Sequence, residues 1–151
     1  MKKKELNVSA IKDGTVIDHI PPRSLFKVIT ILKLDKCTEM ITFGSNLESS
    51  KLKRKAIIKI ENIFFEDKEI NKIALIAPHA KLNIIKDYEV VDKKVVEIPN
   101  NIKSIVRCFN PKCITNHESI PTKFKVIEKS PLALKCHYCE TITTEDQMEI
   151  I

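Results

Sequence analysis

The feature that most constrains this chain is the spacing of four of its five cysteines. Cys108 and Cys113 are separated by four residues, Cys136 and Cys139 by two, and 22 residues lie between the pairs. Two close pairs about 15–25 residues apart put four thiols on two loops, an arrangement that can wrap one tetrahedral metal ion. Four thiolates leave no open coordination position, so the spacing predicts a structural zinc ion, one per chain. A pair of disulfides is the competing reading and an iron–sulfur centre is another. The opening MKKKELNVSA is basic with no apolar stretch behind it, so no secretory signal is read there. No apolar run approaches the roughly 18–20 residues of a membrane span. The expected setting is cytoplasmic, without a membrane partner, and reduced thiols there favour metal over disulfide. His117 and His137 lie near the pairs, but a complete four-cysteine set needs neither. Cys37, alone in sequence, reads as a half-buried small residue.

A metal staple also answers a problem of size. IPNN (98–101) reads as a linker, and the segment 102–151 carries four short strand-like pieces: IKSIVRC, TKFKVIE, LALKC and ETITTE. About 50 residues cannot bury a sufficient core unaided. The expectation is a small all-β, zinc-ribbon-like domain that needs its metal to fold.

Residues 1–97 have a different texture. LNVSAIK and TVIDHI flank Asp13-Gly14, a hairpin signal. PPRSLFKVITILKL predicts a helix over 22–34, with Pro22 in its first turn and Leu25, Val28, Ile29 and Leu32 inward. MITFGSNL (40–47) and AIIKIENIFF (56–65) read as strands around a basic loop at 48–55. EDKEINKIALIA (66–77) predicts a second helix, with acids in its first turn and Pro78 beyond its end. KLNIIKDYEVVDKKVVE (81–97) predicts two strands about a turn near Asp87. The order ββαββαββ implies an α+β fold, a ferredoxin-like antiparallel sheet with two helices on one face.

Charge and glycine content narrow the chemistry. The chain carries a net charge of +6, and residues 1–100 hold 19 basic against 14 acidic side chains, whereas 101–151 hold 7 against 6. A basic first part suits a phosphate-bearing partner. The near-neutral second part, with only Phe109, Phe124 and Tyr138 as aromatics, argues against nucleic acid. There are two glycines, Gly14 and Gly44, far apart, so no glycine-rich phosphate loop is possible. Any phosphate must be met by side chains, and separate strands offer Lys55, Lys59 and Lys93. No nucleophile–base pair has recognisable spacing, and no catalytic residue is expected.

The strings VSAIKDGTVIDHI, RKAIIKIEN, LNIIKDYEVVDK, CFNPKCIT and LKCHYCE, in this order, resemble the regulatory chain of aspartate carbamoyltransferase. That resemblance covers nearly the whole chain. It implies a non-catalytic subunit of pyrimidine biosynthesis, with an allosteric nucleotide-binding domain at 1–97 and a zinc domain at 102–151 that docks on the catalytic chain. It further implies a homodimer of regulatory chains, and a holoenzyme of two catalytic trimers and three such dimers. CTP and ATP are the implied effectors, with UTP acting alongside CTP, assisted by Mg. Carried over by position, Ala10 and Ile11 contact the base, and Asp18 and His19 line the ribose and phosphate side, the acid near a magnesium ion. Lys59 and Lys93 reach ribose and phosphates, Lys55 falls where the family often has another basic residue of the nucleotide site, and Asn83, Ile85, Tyr88 and Val90 form the base-pocket wall. His117, Glu118 and the 109–112 loop fall near the implied contact with the catalytic chain. Phe109 and Lys112 depart from the family's Cys-Pro-Asn-x-Asn-Cys loop, and Asp92 places an acid beside Lys93.

Overall fold

The computed structural model describes residues 10–51 and 53–151. The chain divides between Glu97 and Ile98 into two compact units.

The first unit runs β1 (Gly14–Ile20), α1 (Leu25–Ile31), β2 (Ile41–Ser49), β3 (Lys53–Glu61), α2 (Asp67–Ile73), β4 (Lys81–Lys86) and β5 (Glu89–Val95). All strand pairs are antiparallel, in the order β2-β3-β1-β4-β5. Without β5 this is the βαββαβ ferredoxin-like arrangement, and β5 extends one edge by a hairpin. Strand alternation explains how the core forms. Thr15, Ile17, Ile20, Ala56, Ile58, Ile60 and Leu82 are fully buried, together with Leu25 and Val28 of α1 and Ile70 and Ile73 of α2. Lys94, on the same sheet face, pairs with Asp67 of α2 at 2.9 Å. The alternate residues Val16, Asp18, Lys59, Asn83 and Lys93 therefore point to the face away from the helices.

Several boundaries differ from the sequence reading. Asp13-Gly14 is no hairpin turn among the described residues. Residues 10–12 are not strand, Gly14 opens β1, and residues 6–9 of the anticipated first strand lie outside the described region. Gly14 sits at φ +143°, and a Cβ there would run into the Ile60 carbonyl, so close approach of β1 to β3 demands the glycine. Asp13 acts as a junction: its carbonyl accepts from the Asn62 N–H at 2.9 Å and its carboxylate from the Asp87 N–H at 3.1 Å. The basic loop at 48–55 is mostly strand, because β2 and β3 pair from Ile41–Ile60 out to Ser49–Lys53. β3 ends at Glu61 rather than 65. Both helices are shorter than their apolar periodicity. Pro22–Ser24 is a 3-10 turn ahead of α1, and the chain turns after Ile73 while Ala77 stays buried.

The second unit contains β6 (Asn101–Lys103), β7 (Val106–Arg107), β8 (Lys123–Lys129), β9 (Leu132–Cys136), β10 (Ile142–Thr144) and β11 (Glu149–Ile150). They form an antiparallel sheet β10-β9-β8-β6 and a two-stranded ribbon β11-β7. The anticipated strand 102–108 is broken at Ser104, whose φ of 62° redirects the chain from one sheet to the other. Ile102, Val106, Phe124 and Leu134 supply a small apolar core.

Candidate functional site

Two loops bring the cysteines together. One follows β7 and carries Cys108 and Cys113, and the other begins at Cys136, the last residue of β9, and carries Cys139. Their four Sγ atoms all lie within 4.8 Å of one another, with Cys108–Cys139 at 3.5 Å and Cys113–Cys136 at 3.8 Å. Metal–sulfur bonds of about 2.3 Å in a tetrahedron give sulfur–sulfur edges of about 3.8 Å. These separations fit that edge and exceed the ~2.05 Å of a disulfide, and all four cysteines are free thiols. Cys108, Cys113 and Cys136 are buried, so the cage is closed to substrate.

The loops are tied independently of any ion. Asn116 Nδ2 donates to the carbonyls of Cys108 (3.0 Å) and Asn110 (2.8 Å), and the Cys113 N–H donates to the Asn110 carbonyl. Asn110 Oδ1 accepts from the Lys112 N–H at 3.0 Å, which uses the backbone of Lys112 and leaves its side chain exposed. Thr115 Oγ1 donates to Cys113 Sγ at 3.2 Å. Burial pushes the thiols of Cys108 and Cys136 up. At Cys139 burial acts in the same direction, but hydrogen bonds from Thr141, Asn110 and Cys108 outweigh it and bring the thiol down to about 6. His117 and His137 are exposed and stand outside the cluster. Cys37, half-buried, is apart from it in the first unit.

The first unit presents a second constellation on its helix-free face. Register aligns Lys93 of β5, Asn83 of β4, Val16 of β1 and Lys59 of β3 in one row across the sheet. Two residues along the strands, Asp18 faces Lys81, and Lys55 reaches Asp18 at 3.0 Å. In the other direction Ile85 pairs with Val90 and packs with Ile11, Val16 and Ile57 in a small apolar floor. Seven anticipated residues, Asp18, Lys55, Lys59, Asn83, Ile85, Val90 and Lys93, thus share one face, with Ile11 packed against it. Ala10 is exposed beside Ile11, and Tyr88 stands at the β4–β5 turn, 67% exposed. Asp92 pairs with Ile84 on the opposite face, so alternation separates its charge from Lys93. Val16 and Ile57 were absent from the sequence-based set, although the i, i+2 relation of Val16 to Asp18 would have pointed to the former.

Electrostatics on this face are uneven. Burial holds the Lys59 ammonium below its ordinary value, with the charge of Asp18 acting the other way. Burial likewise lowers His19, whose Nδ1 is buried without a hydrogen bond, 3.7 Å from the Asp18 carboxylate. The Asp18 carboxylate also accepts from the His19 N–H, at 2.6 Å. The result is an apolar floor bordered by the ammonium groups of Lys59 and Lys93, which suits a ligand with one flat apolar part and one anionic part.

Comparison with known proteins is consistent across the whole chain. Residues 6–97 match the family model for the aspartate carbamoyltransferase regulatory chain, allosteric domain, and residues 100–149 match the model for its metal binding domain. Similar proteins include the aspartate carbamoyltransferase regulatory chains of Bacteroides fragilis and Porphyromonas gingivalis. The first is 54% identical, over 99% of this chain and 97% of the relative, and the second 53%, over the full length of both. That of Pyrococcus abyssi is 54% identical over 95% of this chain and 96% of its own. With both units matched and identity sustained end to end, the chain belongs to the family of aspartate carbamoyltransferase regulatory chains.

Proposed function

We propose that this chain is the non-catalytic regulatory subunit of a cytoplasmic aspartate carbamoyltransferase. On this reading the unit at 1–97 binds CTP or ATP, with UTP and Mg joining CTP. The segment 98–101 links it to a zinc domain at 102–151 that docks on the catalytic chain. The observation that carries the nucleotide part is the register row Lys93–Asn83–Val16–Lys59 bordering the apolar floor of Ile11, Ile57 and Ile85. A base lies on the floor, Asn83 and backbone groups read its edge, and ammonium groups on separate strands receive ribose and phosphates. Readout through so few polar groups accepts both cytosine and adenine, so the two effectors compete for one face.

Regulation then follows as a population shift. A nucleotide alters activity only through different affinities for the low- and high-activity assemblies. The zinc ion acts structurally, holding the loop of Cys108–Cys113 and the exposed His117 and Glu118 in the conformation offered to the catalytic chain. Regulatory dimers bridging catalytic trimers, three dimers to two trimers, complete the assembly.

The test mixes this chain with its cognate catalytic trimer, with and without zinc, and measures assembly mass and aspartate saturation with CTP or ATP. The expected result is a zinc-dependent complex whose saturation curve shifts in opposite directions with the two nucleotides. Assembly without any nucleotide response would remove the regulator part of the reading. Lys93→Ala is expected to weaken CTP binding by about tenfold, the loss of one charge-assisted phosphate contact. Unchanged CTP affinity by calorimetry would take Lys93 out of the site.

A further inference from the structure

The second unit is near neutral in sum, but its charges are sorted by place. Four of its lysines share one face of the sheet β10-β9-β8-β6. Register sets Lys103 of β6 opposite Lys123 of β8, and Lys125 of β8 opposite Lys135 of β9. Phe124, between Lys123 and Lys125, turns to the other face and is buried there, as are Ile102 and Cys136. The four lysines border a hollow of about 420 Å³, which Asn101, His137 and Glu140 also line. Among the described residues none of the four forms an ion pair. The acids of this unit lie mostly elsewhere. Glu118 is in the first metal loop, Glu149 faces Arg107, and Glu145 and Asp146 follow β10. Glu128 stands past a bulge in β8, opposite Ala133, which leaves Glu140 as the carboxylate at the rim. Like charges directly opposite one another weaken a sheet. Two such pairs in adjacent rows are a local cost that an anion between the ammonium groups relieves.

The layout says what kind of anion fits. Neighbouring strands are about 4.8 Å apart, and two residues along a strand advance about 6.8 Å. Lys103, Lys123, Lys125 and Lys135 therefore step diagonally over three strands, a path of about 12 Å. A line of separate point charges follows a linear chain of charges better than one compact ion. Protein interfaces are poor in Lys and rich in aromatic residues and Arg, and single-stranded nucleic acid is held by stacking rings. The rows Lys103–Lys123 and Asn101–Lys125–Lys135–Ile142 contain no Phe, Tyr or Arg. Lysine as a point charge suits phosphate. We propose that this face of the second unit binds a linear polyphosphate chain, at a site separate from the helix-free face of the first unit. The site stands whether or not the first unit binds nucleotide.

The experiment titrates inorganic tripolyphosphate into the isotope-labelled, zinc-loaded full chain at fixed ionic strength and follows the backbone amides by NMR. Expected are saturable shifts at 101–103, 123–125 and 134–137, retained in Lys59→Ala/Lys93→Ala, which removes the ammonium groups of the first unit's row. Orthophosphate is expected to bind this face about tenfold more weakly than tripolyphosphate. The fourfold variant Lys103→Gln/Lys123→Gln/Lys125→Gln/Lys135→Gln is expected to lose at least about tenfold in tripolyphosphate affinity at these amides, with circular dichroism confirming its fold. CTP in place of tripolyphosphate distinguishes the sources of the chain. Shifts at the same amides assign it to a nucleoside triphosphate, and their absence assigns it to a free polyphosphate. The wild-type shifts locate the site without any variant. No tripolyphosphate shifts at these amides, equal shifts with orthophosphate, or undiminished affinity in the fourfold variant would overturn the proposal and leave the lysines as a solvated face.

Discussion

Asp18 and His19 occupy a bulge at the end of β1, where Ile17 pairs with Ile58 and Ile20 with Ala56, so that two residues oppose Ile57 alone. The extra residue leaves Asp18 on the open face and returns Ile20 to the core. It also forces His19 to φ 60°, an uncommon conformation for a side chain of that size. Burial lowers the pKa of His19; Asp18 opposes that, and Lys55, Lys81 and Lys51 add to it. The sign of the consequence is definite. A depressed folded pKa means the unfolded chain binds the proton more readily, so stability is full above about pH 6.5 and is lost as pH falls toward the folded value. His19→Gln is expected to reduce the loss of stability between pH 7.5 and 5. Urea midpoints at both pH values measure this, and an identical pH dependence in variant and wild type would show that His19 does not carry it. The chemical types at 18 and 19 were readable in sequence. The bulge that presents them was not, because a strand pattern does not reveal one extra residue.

At the scale of elements, the β4–β5 hairpin shows the same division. Its strands and turn were legible from the alternation around Asp87. Its turn chemistry was not, since Asp87 and Tyr88 both adopt positive φ, at 52° and 65°, where Asn-Gly is the usual choice. The Tyr88 N–H donates to the Lys12 carbonyl at 2.9 Å and the Asp87 N–H to Asp13, so contacts remote in sequence hold this turn. Tyr88 thus carries a backbone penalty while its ring remains exposed. Tyr88→Gly is expected to raise stability by about 0.5–1 kcal/mol in chemical denaturation. On the nucleotide reading the same change weakens CTP binding. Greater stability with unchanged binding would remove Tyr88 from the pocket wall. The short α1 and α2 are a further case: apolar spacing continues past each helix because the following turns also bury Leu32, Leu34, Leu75 and Ala77. Periodicity reports burial, and burial outlasts the helix.

For the whole molecule, the two units differ in what stabilises them. The first has a sheet covered by two helices, whereas the second has short strands and a cluster of four cysteines able to hold a metal ion. Metal removal is therefore expected to unfold the second unit and leave the first largely folded. Chelation followed by amide hydrogen exchange reads this directly, with protection lost over 102–151 and kept in β1, β3 and β4. Protection retained in β8 and β9 after complete metal removal would show that the small core folds without its staple. Metal affinity is also expected to fall as pH drops, because each thiol must lose its proton to bind, and buried Cys108 and Cys136 resist that loss.

Sequence alone determined the grouping of four cysteines into one candidate metal site, the two-unit organisation and the alternation of the central strands. These depend on local spacing and periodicity, which the chain carries wherever it folds. Tertiary structure decided which face each lysine joins, how Lys59, Asn83 and Lys93 come into one row, and that Asp13-Gly14 is a junction rather than a turn. Those are matters of register between strands remote in sequence, and register is set only when the buried side chains of Ile17, Ile58 and Leu82 pack together.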